Sequence, residues 1–431
     1  MIVRLLEQAS RRAESADASA KHDETVTLLF ESGRLKSTSW SQERGVNVRV
    51  RANGRLGFAG TTANDPEALV EAALASAAIG DQVDLLLPAP SPLQAVRTHS
   101  PAAAAASVAD LAALGQSLVE RLSHDGWQVS ATVERSVGTV RVANTRGVEA
   151  SYDVTAVSLS AEITRISGDD ILMVGDYCAA ADLPGEPAVA ALAESIRRRV
   201  AWAERPAAPP RGELPVLFTP AGSGALFLPL RQACVGKAVL QGISPLGGRI
   251  GERAFDPTLT VIDDPWVPGA SGSRAIDDEG VPTRRFPLVE GGIVGGFVYD
   301  LEAAARAGVP ATGHARRTTF GKPQAAYSNL LVSPGECSWE DLLSKVADGL
   351  IVDDLIGVGQ GNVIGGAFSH PVALAYRVVG GEIVGRVKDA AVAGNAYELL
   401  GRIAGLGRDV EWRGSLAAPP ILLEGVSVTP R

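Results

Sequence analysis

The 431-residue chain has little sulfur and little imidazole: three cysteines, two methionines and five histidines. Cys178, Cys234 and Cys337 are far apart and odd in number, and no CxxC pair occurs. That pattern argues against both a zinc ribbon and a disulfide framework. His22, His99, His124, His314 and His370 are equally scattered, and HExxH is absent, so no zinc site can be written from neighbouring residues. No run approaches the ~18 apolar residues that a bilayer span needs. Glu7 and the arginines around it break the N-terminal stretch where a signal peptide requires an apolar core, so MIVRLLEQASRR reads as a short amphipathic helix. The expected compartment is the cytoplasm, with no membrane partner. A basic excess is also missing: 40 Lys and Arg stand against 49 Asp and Glu, for a net charge of −9. This disfavours nucleic acid as a partner, leaving only local pairs such as Arg284-Arg285 and Arg316-Arg317 as basic spots.

What is present is a globular composition, with 46% hydrophobic and 21% charged residues, in a chain long enough to bury a large core. Glycine and proline are plentiful, at 47 and 26, and predict many tight turns. Residues 25–60 read as strands, with Asn53-Gly54 as a hairpin turn. Asp65-Pro66-Glu67 predicts a helix to about Ala78, Asp65 capping it and Pro66 at its first position. The Pro/Ala-rich stretch 82–106 reads as a linker, followed by a helix over 108–122, a second β block from Trp127 to Cys178, and a helix over 186–203. Both β blocks carry Arg-Gly-Val, in ERGVNVRV and TRGVEASYDV, which is as compatible with chance as with an internal repeat. RPAAPPRGELP at 205–215 reads as a boundary. Beyond it lie short strands near 214–218, 258–263, 284–299 and 374–390, and helices near 224–241, 338–349 and 394–406. The expected class is α+β. An N-terminal α/β region of antiparallel strands and helices covers 1–204, as blocks 25–80 and 107–204. A Gly-rich, mostly-β domain covers 214–431.

Local chemistry is sparse. Ala221-Gly222-Ser223-Gly224 is an incomplete nucleophile elbow and reads as a helix start. Gly359-Gln360-Gly361 lacks the spacing of a dinucleotide loop and reads as a turn between strands. Asp277-Asp278-Glu279-Gly280 is the densest carboxylate cluster. Neighbours in an extended segment point to opposite faces, so a solvated turn is the expectation, with cation binding or acid–base work as the alternative. His314, beside Arg316 and Arg317, is expected in a surface loop, with carboxylate capture as its functional reading. Cys234 reads as a small core residue.

Taken in order, ERGVNVRV and GRLGFAGT, AIDDEGVPTRRFPLVEGGIVGGFVYDLEAAARAG, Thr312-Gly313-His314, GLIVDDLIGVGQGNVIGG and Gly394-Asn395 resemble the TldD/PmbA (TldE) family, often labelled modulator of DNA gyrase, over essentially the whole chain. The resemblance implies a dimeric cytoplasmic protease acting on unfolded peptides. In the TldD branch a helix carries HExxxH, and a cysteine near the C-terminus completes a zinc site. The i, i+5 spacing turns the second imidazole by about 140° from the first, so closing the site needs helix distortion or a third ligand. Placing that motif on this chain puts Leu228, Pro229 and Ala233 at the two histidines and the glutamate, and Trp412 or Arg413 near the cysteine. None of these can ligate zinc. The chain is therefore similar to the zinc-free TldE branch, which implies no cofactor in this chain, zinc in a TldD-like HExxxH-bearing partner, and an unfolded peptide as substrate. His314, Gly359, Gln360 and Gly361 are the candidate peptide-binding residues. Two other readings remain: a stand-alone hydrolase using Asp278, Glu279 and His314, and a non-enzymatic homodimeric scaffold.

Overall fold

Alternation of apolar residues builds the first half. Val26, Leu28 and Phe30 are buried on one strand, Val129, Ala131 and Val133 on another, and Leu159, Ala161 and Ile163 on a third. The computed structural model describes residues 1–431. Helix α1 (Ile2–Ala9) precedes strands β1 (Ser15–Glu31), β2 (Arg34–Ala52) and β3 (Arg55–Thr61), then α2 (Pro66–Ala78). After α3 (Pro101–Ala105), helix α4 (Val108–Leu122) precedes β4 (Gln128–Asn144), β5 (Glu149–Ser167) and β6 (Asp170–Ala180), then α5 (Glu186–Trp202).

These six strands form one antiparallel sheet in the order β3-β2-β1-β4-β5-β6. The two helix–hairpin–strand–helix halves meet at β1 and β4, so the order is symmetric about its centre. An internal repeat therefore exists at the level of elements, but the Arg-Gly-Val triplets do not mark it. Gly45 lies inside β2, whereas Arg146-Gly147 forms the β4–β5 turn with Gly147 at φ 91°. The caps follow the sequence closely. Asp65 accepts from the Ala68 amide, and Ser107 forms a capping box with Asp110 at the start of α4.

The second half is built from short strands, so the α+β class holds with helices and antiparallel strands first and mostly β structure after. Strands Asp348–Leu355, Gly212–Phe218, Ile421–Pro430, Ala390–Asn395 and Ala367–Val379 pair in sequence, and the last pairs back onto the first. The ring buries residues on both sides. Val216 and Phe218 join the core around helix α6 (Gly224–Ala233), while Leu217 joins the core beneath α5. The α5 core contains Leu192 and Ile196 together with Ile351, Tyr376 and Leu422, so one apolar core runs across the proline-rich segment at 205–215.

Some expected elements differ. The supposed linker at 82–106 is packed: Val83, Leu85 and Leu87 bury alternate side chains with Leu56 and Leu301, and Ser100 caps α3. The helix expected over 224–241 breaks after α6, where the Gly236 amide donates to Val298 O and the Val298 amide to Cys234 O. It resumes as Gly236–Leu240. A Cβ at Gly236 would lie 2.1 Å from the Tyr299 ring, so only glycine fits there. Pro229 lies inside α6, which runs through it from Gly224 to Ala233. The helix expected over 338–349 is Trp339–Ser344, because residues 350–352 are drawn into parallel pairing with Val216–Phe218. The helix expected over 394–406 is Ala396–Leu400, and Ile403–Leu406 pairs with Ile421–Leu423 as a strand. No helix is long and apolar enough to cross a membrane.

Candidate functional site

Strand Gly212–Phe218 delivers the chain into a tight turn before α6. The Thr219 hydroxyl donates to Asp353 at 2.8 Å, and Ser223 turns its hydroxyl onto Pro220 O at 2.8 Å. Ser223 is fully buried, so the Gly-Ser-Gly segment is a helix start and not an exposed nucleophile. Gly222 must lack a side chain, since a Cβ would sit 2.3 Å from Val352 O.

On α6, Leu228 is half-buried and Pro229 buried. They face the glycine loop: Ala225, Leu228 and Pro229 line a cavity with Val358, Gly359, Gln360, Val363, Ala367, Phe368 and His370. Two groups of residues singled out from the sequence, Leu228-Pro229 and the glycine loop, thus meet in one place. The cavity measures about 20 Å³, close to the least that one water requires. Leu228 accounts for this, with its Cδ2 3.4 Å from where a Cβ on Gly359 would lie. Gly359, Gln360 and Gly361 are exposed on the outer side of the loop. Tyr397 ties loop to helix, its hydroxyl 2.8 Å from Ile364 O and 3.1 Å from Pro229 O. Ala233 lies at the far end of α6, fully buried.

A zinc ion does not fit this donor set. Zinc requires three or four N, S or carboxylate ligands. Leu228, Pro229 and Ala233 offer two hydrocarbon chains and a proline ring, and the lining holds one imidazole, His370, whose protonation burial disfavours. No cluster of three His, Cys, Asp or Glu side chains elsewhere is arranged around a common point. Trp412 and Arg413, expected near the last ligand, sit on strand Glu411–Arg413 outside this cavity, with Arg413 paired to Asp176.

His314 is corrected from surface to core. It is 1% exposed, with Nε2 3.1 Å from Asp263 Oδ2 and Nδ1 2.9 Å from Thr312 O. Phe286 and Tyr327 pack edge-on around its ring. A peptide cannot reach it directly, which removes it from the peptide-contacting set.

The acidic triplet is not a solvated turn either: Asp277, Asp278 and Glu279 are all fully buried. Each carboxylate faces a different partner. Asp277 accepts from the Glu279, Val281 and Ala315 amides, and burial raises its pKa. Asp278 accepts from Lys21 at 2.8 Å and from the Arg317 amide. Burial opposes its ionisation, but Lys21, Arg316 and Arg274 outweigh it and hold the carboxyl below its usual range. Glu279 pairs with Arg49 and accepts from the Leu301 amide, and burial pushes its pKa up to about 8. Arg49 also grips Asp17 at 2.7 Å, and Arg317 closes onto Asp17. Asp278, Glu279 and His314 therefore form no joint hydrolase site. They belong to separate buried contacts, the first two joining the long sheet to the loops above it. Arg317 is buried, so Arg316-Arg317 is no basic surface patch.

Sequence reading missed a larger feature. A cleft of about 800 Å³ lies between the β4–β6 face and the second half of the chain. Its rim includes Ile171, Met173 and Tyr177 of β6 and Ile356 of the glycine loop, each 40–56% exposed. In its wall Arg199 bridges Asp176 at 2.6 Å and Asp353 at 2.9 Å. One signal was available: ILMVGDYC is apolar at odd and even positions, a pattern expected of a strand that meets other groups on both faces.

Comparison with known proteins agrees with this architecture. The profile described as "PmbA/TldA metallopeptidase C-terminal domain" matches residues 211–430, and "PmbA/TldA metallopeptidase domain 1" matches 16–77. A metalloprotease of Methanothermobacter thermautotrophicus is 27% identical over 413 residues, covering 92% of this chain and 89% of its own length. The metalloprotease PmbA of Escherichia coli O157:H7 is 25% identical over 450 residues, covering 98% and 94%. In fold, the chain is similar to the crystal structure of TldE from Thermococcus kodakarensis, with a TM-score of 0.89, 24% identity and 99% of each chain covered.

Proposed function

The chain belongs to the PmbA/TldD metallopeptidase family, and from that premise we propose that it is the zinc-free, peptide-holding subunit of a heteromeric cytoplasmic metalloprotease. Its partner is a TldD-type chain bearing HExxxH, which supplies the zinc and the chemistry. The substrate is an unfolded peptide. The observation that supports this reading is the small cavity at α6, lined by Leu228, Pro229 and other side chains that offer a metal a single imidazole, His370, and no thiolate or carboxylate. This chain's own part is to bind and orient. The exposed loop Gly359-Gln360-Gly361 offers backbone groups to an extended peptide beside that cavity.

Two measurements on the intact chain test the reading. Metal analysis of the isolated protein is expected to find no stoichiometric zinc. Peptidase assays are expected to show cleavage only when an HExxxH-bearing family member is added. Stoichiometric zinc in the lone chain, or chelator-sensitive cleavage by it alone, would overturn the proposal.

A further inference from the structure

The cleft above β4–β6 combines a free strand edge, an apolar rim and unpaired charge. β6 ends the six-stranded sheet and pairs only with β5. Ile171 O accepts from Arg386 at 2.8 Å, and the Tyr177 amide donates to Asp176, so odd-numbered residues turn their backbone groups to the open side. Met173 and Gly175 lie between these two tethers and line the cleft. Their N–H and C=O groups are the unpaired edge.

The charges in the cleft are unevenly committed. Arg199 is held by Asp176 and Asp353, Arg413 by Asp176, and Arg386 by Asp170. Glu162 and Asp354 are the carboxylates of the lining left without a cation. Partial burial, opposed by the Leu355 amide and aided by Asp353, raises the Asp354 pKa, and an incoming cation would favour its ionised form.

We propose that this cleft binds an extended, lysine- or arginine-bearing peptide segment as an added strand on β6. Met173 and Gly175 pair with its backbone, Ile171 and Ile356 cover its apolar side chains, and Glu162 and Asp354 take its cation. The inference deepens the peptide-holding role proposed above by naming where and what the chain holds, and it rests on that reading.

The test uses the intact chain and a fluorescein-labelled, unstructured lysine-bearing peptide, with a glutamate-bearing counterpart, read by anisotropy at low and high salt. The lysine peptide is expected to bind at least tenfold more tightly than the glutamate peptide, and less tightly as salt rises. The double variant Glu162→Gln, Asp354→Asn is expected to lose at least tenfold. Gly175→Pro removes one outward N–H and leaves the β5 pairing intact, because proline is tolerated on a free edge; it is also expected to weaken binding. Hydrogen exchange supplies a second readout, in which added peptide is expected to protect the Met173 and Gly175 amides. Equal binding of both peptides, unchanged binding in the variants, or no protection at those amides would overturn the inference. So would concentration-dependent self-association abolished by the same substitutions, which would assign the edge to a second copy of the chain. Partner-dependent cleavage is scored separately, so loss of this inference and loss of the subunit role give different results.

Discussion

Replacing Arg49 with methionine probes the buried contact that joins the long sheet to the second half of the chain. Arg49 is 1% exposed, bonds Asp17 at 2.7 Å and pairs with Glu279. In Arg49→Met, Asp17 keeps Arg317 and Glu279 keeps only the Leu301 amide, so one buried carboxylate loses its counter-charge. Removing one member of such a pair costs about 3–5 kcal/mol. The cost depends on pH. Glu279 is raised to about 8, mainly by burial, against a carboxylate's ordinary value near 4.5 in the unfolded chain. Its proton therefore stabilises the folded state at low pH, and that contribution is lost as pH rises through about 8. Without Arg49 the carboxyl is driven higher still, so the variant loses more on passing to alkaline pH than the parent does. Urea midpoints followed by tryptophan fluorescence at pH 6 and pH 9 measure this. The gap between variant and parent is expected to be wide at pH 9 and narrower at pH 6, and adding Glu279→Gln should recover part of it. A shift worth less than about 1 kcal/mol, or an equal shift at both pH values, would refute the buried-charge account.

Three further outcomes follow from packing and burial. Gly115→Ala, a favourable change for an isolated helix, is expected to destabilise by about 1–3 kcal/mol, since the new Cβ would stand 2.2 Å from the Phe30 ring in a closed core; thermal melting checks it. Ser107→Ala removes the side-chain half of the α4 capping box and should cost about 1 kcal/mol, read from the urea midpoint. Cys234 is buried, and burial pushes its thiol up to about 12, so iodoacetamide at pH 8 should label Cys178 and Cys337 before Cys234, which reacts only after denaturant is added; peptide mapping distinguishes the three.

Much of the fold was legible because its signals are local. Asp65-Pro66 and Ser107-Val108 mark helix starts through a side chain's reach to an amide three residues on, and the long strands announce themselves by period two. The failures were also physical. Gly236 and Gly349 belong to segments with helical composition that were captured by pairing to distant strands or by a ring packed against them. Val83, Leu85 and Leu87 are buried in alternation with exposed Asp84 and Leu86, yet the run of leucines followed by Pro88, Pro90 and Pro92 read as a tether, because the surface it covers comes from Leu56 and Leu301, far away in sequence.

At the candidate site the division is similar. Residue identity alone determined that Leu228, Pro229 and Ala233 cannot hold a metal, since ligation depends on lone pairs that those side chains do not have. Only the tertiary structure decided that Leu228 meets Gly359, that His314 turns inward to Asp263, and that three adjacent carboxylates are buried against separate partners. Those outcomes depend on which remote cations, amides and apolar faces arrive beside a residue. Arg49 and Lys21, more than two hundred positions from Glu279 and Asp278, are brought there by the pairing of β1 with β2 and by the loops closing over that sheet.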